Sequence, residues 1–331
     1  MLCKYFQKRK YPTKVIKENS KINVLVHNDL DGTACLYLIS KVFGEENISF
    51  IKTNYKDFLD NLNFLIDDLE KNNKERLIVC DLSLNKGFEK KVNLEKIKGK
   101  LLWLDHHQWD NEVLNFLKNY GEIVVNTNKC ATGVAFDYFK KTFEFSEFDK
   151  RLVEIICDFD LWKMKEELSW KLSLALAGYD LEKFRKEKLN KGILWDNELE
   201  RTFKENKKKI EKLVKKYKEK GIILEKDKEK ILLVFDERDN SIFISHVFDE
   251  LKKDYDSLIL VTDSGKMSLR GKNNVLNIAK RFGGGGHIKA AGALVHYPYL
   301  LKKINKWLFK LGIYPRLNYI IKNIKEESKE K

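Results

Sequence analysis

His27, Asp29 and Asp31 are three side chains that can bind a metal ion, and they alternate along one short stretch that ends at Gly32. The stretch directly follows the apolar run 22–26. While the chain stays extended, alternate side chains leave on the same face, so these three would converge on one point. An acidic turn, in which Asp caps a helix and Gly makes the turn, explains this loop alone equally well. Matching ligands elsewhere in the chain would decide between the two interpretations.

Such side chains do recur directly after other apolar runs. One of these runs covers residues 77–80 and another covers residues 101–104. They are followed by Asp81 in the first case, and by Asp105, His106 and His107 in the second. A further apolar run, 152–157, is followed by Asp158 and, two residues later, by Asp160. We prefer Asp158 as the candidate ligand because it directly ends the run, and Asp160 is the alternative.

The elements that position these residues alternate between strand and helix. Strand-like runs are predicted at 22–26, 48–52, 77–80, 101–104 and 122–125, and helical stretches near 32–43, 56–70, 86–95 and 110–118. This alternation predicts an α/β fold with a doubly wound parallel sheet that carries helices on both faces. Ligands of such sheets bind outside the carboxyl ends of the strands, which is where the candidate residues fall.

A helix is also predicted to begin within residues 129–133. Its first backbone N–H groups could face an anion. An ordinary helix cap by Thr132 explains the same residues.

A second α/β region is predicted beyond a Lys- and Glu-rich helix at 200–220. It contains Arg270 at the end of a strand and four consecutive glycines at 283–286, followed by His287. So many glycines are entropically costly in a folded domain, and they would let a ligand approach the main chain. The predicted domains are 1–190, a helical linker 191–225, a smaller α/β domain 226–315 and a charged tail 316–331.

Composition limits the classes of function. The 331 residues are 43% hydrophobic, enough for two cores, and Lys plus Arg exceed Asp plus Glu by 64 to 50, a net charge of +14. This excess favours a polyanionic partner over a cationic substrate. The five cysteines are scattered singly, so we expect buried thiols in a reducing compartment. Without a long apolar segment or a secretory signal, the protein is expected to be cytoplasmic, with no membrane contact.

The order of these motifs resembles the DHH phosphoesterase superfamily, over residues 21 to 297. The glycines at 283–286 with His287 are similar to the DHH-associated C-terminal domain of its exonuclease branch. The resemblance implies two Mn²⁺ ions, for which Mg²⁺ or Co²⁺ could substitute. The implied ligands are His27 and Asp29 for the first ion, Asp31, His106 and Asp158 for the second, and Asp81 as a bridge. Oxygen and imidazole ligands without thiolate suit manganese on chemical grounds as well.

Other roles also follow from the resemblance. Asp105 would orient a ligating imidazole, and His107 would face the substrate phosphate as a catalytic residue. The substrate would be gripped away from the metals by Arg270, Gly284, Gly285, Gly286 and His287.

The expected function is a manganese-dependent phosphodiesterase that hydrolyses short single-stranded oligonucleotides to mononucleotides. Alternatives with the same chemistry are a 3′-phosphoadenosine 5′-phosphate phosphatase and a cyclic-dinucleotide phosphodiesterase. A non-catalytic nucleic-acid-binding scaffold of a replication or repair complex is the alternative of another class. A homodimer, or docking to a helicase or replication partner, is compatible with all of these.

Overall fold

The chain forms two units in this computed structural model. Its described residues are 14–17, 19–84, 86–226, 228–236, 240–262, 264–286, 288–295, 320–322 and 324. The contacts within the chain divide it into a first unit, Met1–Glu200, and a second unit, Arg201–Lys331. His287, to which we assigned a substrate-binding role, lies outside the described residues, as does Cys3.

The first unit is built on a six-stranded sheet in the order β1-β3-β2-β4-β5-β6. Its strands are β1 Lys14–Val15, β2 Ile22–His27, β3 Ile48–Thr53, β4 Arg76–Cys80, β5 Leu101–Asp105 and β6 Gly121–Val125. The short edge strand β1 is antiparallel, and the other neighbours are parallel. The carboxyl ends of β2, β4 and β5 therefore meet at one edge, as expected for a parallel sheet.

Helices cover both faces of this sheet, which confirms the predicted doubly wound architecture. They are α1 Leu30–Phe43, α2 Phe58–Lys71, α3 Asn111–Leu117, α4 Ala131–Phe139, α5 Glu147–Asp160, α6 Glu167–Leu176 and α7 Leu181–Glu187. The α2 face buries Leu25, Leu65 and Trp103 in one apolar cluster. The opposite face is covered by α1, which is buried from Leu30 to Ser40 and packs against α4 and α5.

One predicted helix differs from the structure, and one apolar run proves to be helical. The helix expected at 86–95 is replaced by two 3₁₀ turns, Phe88–Lys90 and Leu94–Ile97, after a left-handed Gly87. The apolar run 152–157, to which no secondary structure was assigned, lies inside α5. Helix α5 begins at a capping box between Ser146 and Asp149, a start signal that fixes it as a helix.

The expectation of single, unpaired thiols is wrong for two cysteines. Cys130 and Cys157 form a disulfide across 27 residues of sequence. Because α4 and α5 pack against each other, the two residues meet only in the folded chain. Cys35 and Cys80 are free and buried, as expected.

The boundary between the two units falls within the long helix α8, Asn197–Lys220. The second unit has a six-stranded sheet in the order β11-β12-β10-β9-β8-β7. Its strands are β7 Ile222–Lys226, β8 Glu229–Asp236, β9 Ser257–Thr262, β10 Lys266–Gly271, β11 Gly285–Gly286 and β12 Ala290–Leu294. Only the β8–β9 pair is parallel among the described strands of this sheet.

Helices α9 Ile244–Leu251 and α10 Leu276–Arg281 complete the described part of the second unit. Its core includes Ile259, Leu269 and Ile278, together with Ile320 and Ile324. Both of the last two residues are fully buried, although we expected a charged tail from residue 316 onward. Within the described ranges, no helix is long and apolar enough to cross a membrane.

Candidate metal centre

His27 and Asp29 lie together at the carboxyl end of β2. The His27 Nδ1 atom is 2.6 Å from Asp29 Oδ2 and 3.5 Å from Asp81 Oδ2. Asp29 caps helix α1, because its Oδ1 accepts a hydrogen bond of 2.9 Å from the N–H of Gly32. A Cβ atom at Gly32 would lie 2.2 Å from the carbonyl oxygen of His27, so only glycine permits this close return of the chain.

Asp31 is held by the N-terminus of a second helix. Its carboxylate accepts hydrogen bonds from the N–H groups of Ala131 at 2.7 Å and Thr132 at 2.9 Å, both in the first turn of α4. From the sequence, the first N–H groups of this helix could face an anion. In the structure that anion is the carboxylate of Asp31. Thr132 does not cap α4, since that position belongs to Cys130. The positive end of the α4 dipole and these two N–H groups fix the orientation of Asp31.

Asp81 follows β4 and is buried, with a left-handed backbone conformation, φ +61°. This conformation is unfavourable for a residue with a side chain, and strain of this kind is typical of functional sites. Its carboxylate lies between two imidazoles: His27 Nδ1 is 3.5 Å from Oδ2, and His106 Nε2 is 3.3 Å from Oδ1.

Asp105 orients His107. Its Oδ1 is 2.8 Å from His107 Nδ1, and its Oδ2 accepts a hydrogen bond of 2.6 Å from the indole N–H of Trp109. We expected Asp105 to orient an imidazole that binds a metal ion, and its imidazole partner here is His107, to which we assigned a role at the substrate phosphate. His107 Nδ1 is also 4.0 Å from Asp81 Oδ1, at the border of the cluster.

His106 reaches the other side of the cluster. Its Nε2 atom is 3.6 Å from Asp160 Oδ2 and 3.9 Å from Asp31 Oδ2. Three sets of side chains each bring their ligand atoms within 4.8 Å of one another: His27, Asp29 and Asp81; Asp31, His106 and Asp160; Asp81, His106 and His107. Asp81 and His106 each belong to two sets.

Asp158 is not part of this cluster, and Asp160 takes its place. The Asp158 carboxylate instead accepts hydrogen bonds from the N–H groups of Lys165 at 3.1 Å and Glu166 at 3.0 Å. Asp158 and Asp160 are two residues apart on a helix, so their side chains point in directions about 200° apart. Only one of the two can therefore face the cluster. We preferred Asp158 because it directly ends the apolar run, but this run lies within α5, where the direction of each side chain depends on the helical phase.

Burial and mutual repulsion shape the charges of the cluster. Burial raises the pKa of Asp81 well above its ordinary value, and the nearby carboxylates of Asp29 and Asp31 raise it further. Burial and then the charge of Asp31 likewise raise the pKa of Asp160. Burial would also raise the pKa of Asp29, but the charge and hydrogen bond of His27 outweigh it and hold that pKa below its usual range. A cation among these groups would stabilise their charged forms.

The residues fit a pair of divalent cations. Asp81 Oδ2 and Asp160 Oδ2 are buried and have no hydrogen-bond partner among the described residues. A buried carboxylate oxygen without a donor is costly, and a bound cation would supply the missing interaction. The donor atoms are carboxylate oxygens and imidazole nitrogens without thiolate, a set that suits manganese or magnesium more than a structural zinc.

Two residues beside the centre were not identified from the sequence. Lys52 on β3 is 1% exposed. Burial lowers the pKa of Lys52 to about 8. Tyr55 follows β3, and its ring is 5.5 Å from that of His27. The rule that identified Asp81, a polar or aromatic side chain just after a strand, would also have found Tyr55.

Arg270 lies in the second unit, on β10. Its Nε donates a hydrogen bond of 2.7 Å to the hydroxyl of Ser245, and its Nη1 donates one of 2.8 Å to the carbonyl of Leu269. Burial lowers the pKa of Arg270 to about 10. No carboxylate of the described residues pairs with it, so this guanidinium is a suitable partner for a phosphate.

The glycine run has a structural role that the sequence did not show. Gly285 and Gly286 form β11, which pairs with β12. A Cβ atom at Gly284 would lie 2.1 Å from the carbonyl oxygen of Gly292, so this glycine is needed for close packing of the backbone. Gly285 has open space around its Cα atom, with nothing within 4 Å of a Cβ built there. A ligand could approach the main chain at this position.

Comparison with known proteins supports the fold. No protein-family profile matches the chain. The chain is 23% identical over 298 residues to oligoribonuclease NrnB of Bacillus subtilis (strain 168), covering 81% of this chain and 71% of that protein.

Two solved structures have a similar fold. RecJ from Thermus thermophilus, in complex with Mn²⁺, has a TM-score of 0.60 at 12% identity, over 94% of this chain and 58% of that chain. A DHH domain from a member of a family of ribosomal proteins has a TM-score of 0.57 at 15% identity, over 88% of this chain and 85% of that chain. These similarities show that the chain shares a fold with RecJ and with this DHH domain. The His and Asp residues gathered at the carboxyl ends of β2, β4 and β5 form the candidate metal centre within that fold.

Proposed function

We propose that this protein is a manganese-dependent phosphodiesterase that hydrolyses short single-stranded oligonucleotides to mononucleotides. The observation that carries the proposal is the buried Asp81 carboxylate, which is shared by two sets of ligand atoms and has an oxygen without a hydrogen-bond partner among the described residues. A carboxylate in this position can bridge two cations. Two adjacent cations are suited to phosphoryl transfer, because they stabilise both the attacking and the leaving oxygen.

In this proposal His27, Asp29 and Asp81 would hold one ion, and Asp31, His106 and Asp160 would hold the other. Asp81, whose Oδ1 is 3.3 Å from His106 Nε2, would serve both ions. When bound, the ions lower the pKa of a water molecule and stabilise negative charge on the phosphate. The chain itself fixes the ligands before any substrate arrives. The N–H groups of α4 orient Asp31, and the left-handed backbone directs Asp81 into the cluster.

His107 is the catalytic residue that we assign to the substrate phosphate. Burial would lower the pKa of His107, but its hydrogen bond to Asp105 and the charge of that carboxylate raise it above the ordinary value. The imidazole can therefore donate a hydrogen bond to a phosphate oxygen as negative charge develops. Asp105 acts through His107, and Trp109 in turn holds Asp105 in place.

The substrate class rests on charge and on the similarity to NrnB. A net charge of +14 favours a polyanion, and Arg270 in the second unit offers a planar fork for a phosphate. The protein with 23% identity over 298 residues is named as an oligoribonuclease. Gly284, Gly285, Gly286 and His287 remain proposed substrate contacts.

A time course would test the proposal directly. Purified protein is incubated with Mn²⁺ and with oligomers of two to ten nucleotides, labelled at either end, in both ribose and deoxyribose form. We expect release of mononucleotides that stops in EDTA and is lost in Asp81→Asn. If the protein binds Mn²⁺ but hydrolyses none of these oligomers, the result would favour the non-catalytic scaffold function. Faster turnover of 3′-phosphoadenosine 5′-phosphate or a cyclic dinucleotide, compared by kcat/KM, would change the substrate assigned to the same site.

A further inference from the structure

Tyr55 is an exposed aromatic side chain at the border of the candidate metal centre. It follows the carboxyl end of β3, and its side chain is 46% exposed. Its ring centroid is 5.5 Å from that of His27 and 6.3 Å from that of His107. These two imidazoles belong to different sets of the candidate ligands, so the ring borders the centre where both sets meet.

The position of the Tyr55 ring is fixed while part of its surface stays open to solvent. The ring meets Phe58 edge-on at 6.3 Å, with an angle of 83° between the ring planes, and His107 at 89°. Its hydroxyl is 3.5 Å from that of Ser83. These contacts hold the ring in place, while 46% of the side chain stays exposed. The ring is therefore open to a ligand directly beside His27 and His107 of the candidate metal centre.

We propose that Tyr55 is the stacking platform for the nucleobase next to the scissile phosphate. A nucleobase is a flat aromatic group within one sugar of its phosphate, so a phosphate held at the centre places a base within reach of this ring. Stacking on an aromatic face tolerates every base, since each has a π face, and it does not depend on the 2′-hydroxyl. Tyr55 therefore favours nucleotide substrates over other phosphoesters, without selecting base or sugar.

This inference rests on the proposed function and narrows it. The centre accounts for hydrolysis of a phosphodiester, and Tyr55 accounts for the preference for one that carries a base. Stacking by a single ring contributes about ten- to a hundredfold in affinity.

The test compares substrates with and without a base on matched variants. One substrate is a 5′-phosphorylated dinucleotide, and the others are the same molecule with an abasic sugar at either position. We expect the wild-type protein to prefer the complete dinucleotide by about tenfold or more in kcat/KM, mainly through KM. Tyr55→Ala should reduce that preference to near unity, and Tyr55→Phe should retain it. Phe64→Ala, which removes another ring that is 40% exposed in the same unit, should leave it unchanged.

The outcomes separate the inference from the function on which it rests. If the wild-type protein hydrolyses the dinucleotide and Tyr55→Ala keeps the full preference for a base, the stacking role of Tyr55 is wrong while the phosphodiesterase function stands. If no substrate is hydrolysed by the wild-type protein with Mn²⁺ bound, the proposed function itself fails. A loss of rate on all substrates alike in Tyr55→Ala would show a role in supporting His27 or His107 and would also contradict stacking.

Discussion

At the scale of single residues, Asp160 and Asp158 have separate tasks that a paired substitution can distinguish. Asp160 has a buried oxygen that faces His106, whereas Asp158 binds the backbone of residues 165 and 166. We expect Asp160→Asn to weaken Mn²⁺ binding by about tenfold or more, with little change in melting temperature. Asp158→Asn should lower the free energy of unfolding by about 1 kcal/mol and leave Mn²⁺ affinity largely intact. Calorimetric titration with Mn²⁺ and thermal unfolding measure both effects, and the reverse pattern would restore Asp158 as the ligand.

Lys52 is a second residue for which a prediction follows from burial. Its side chain is buried, and burial disfavours the charged ammonium, which lowers stability while the proton is bound. The pKa is about 8 in the folded chain against 10.5 for an ordinary lysine. The destabilisation by the charged Lys52 is complete below pH 8 and disappears as the pH rises toward 10.5. Between these two pH values the folded chain has lost the proton of Lys52, whereas the unfolded chain still keeps it. Lys52→Met should therefore raise the free energy of unfolding at pH 7 by on the order of 2 kcal/mol.

Chemical denaturation in EDTA at pH 7 and pH 10 would measure this effect of Lys52→Met. The gain should shrink at the higher pH. Lys21→Met is the control, because the Lys21 side chain is 65% exposed and its pairing with Glu75 contributes little. A Lys52 variant less stable than the wild-type protein at pH 7 would show that the ammonium has a stabilising partner.

At the scale of elements, the turn between β2 and α1 determines where His27 and Asp29 lie. Gly32→Ala places a methyl group 2.2 Å from the carbonyl oxygen of His27, so the turn must open. We expect a loss of several degrees in melting temperature and weaker Mn²⁺ binding. Gly285→Ala is a matched control for stability, since nothing lies within 4 Å of the added atom. Equal melting temperatures for the two variants would contradict the assigned role of Gly32.

The disulfide between Cys130 and Cys157 joins two elements that position the candidate centre. Cys130 caps α4, whose first N–H groups hold Asp31, and Cys157 lies one helical turn before Asp160 on α5. Closing a loop with a separation of 27 residues stabilises a protein by on the order of 3 kcal/mol. Cys157→Ser should lower the free energy of unfolding by about that amount.

Unfolding in urea with and without a reducing agent would measure the contribution of this disulfide. Reduction should destabilise the wild-type protein and leave the Cys157→Ser variant unchanged. Alkylation of both cysteines in the native protein without prior reduction would contradict the bond.

At the scale of the whole molecule, the excess of positive charge predicts a dependence on salt. A net charge of +14 attracts polyanions through many weak interactions that salt screens. We expect KM for a pentanucleotide to rise steeply as KCl increases from 50 to 300 mM, and KM for a dinucleotide to rise less, because it carries fewer phosphates. Steady-state kinetics at fixed Mn²⁺ would measure both slopes. Equal slopes for the two substrates would show that phosphates other than the scissile one do not contribute to binding.

Much of this molecule was determined by its sequence alone. Apolar runs of strand length separated by amphipathic stretches predict a parallel sheet, since strands buried on both faces must be apolar throughout. His27, Asp29, Asp31, Asp81 and His106 follow such runs or open the next helix, and the structure brings all of them together. The rule that parallel strands present ligands at their carboxyl ends was sufficient for these five residues.

Only the tertiary structure decided the remaining features, because each depends on residues that are distant in sequence. The helical phase of α5 selects Asp160 over Asp158, and the packing of α4 on α5 brings Cys130 to Cys157. Asp31 finds its hydrogen-bond donors 100 residues away, at the start of α4. Local pattern can place a side chain at the end of an element, but its direction and its partner are set by how the elements pack.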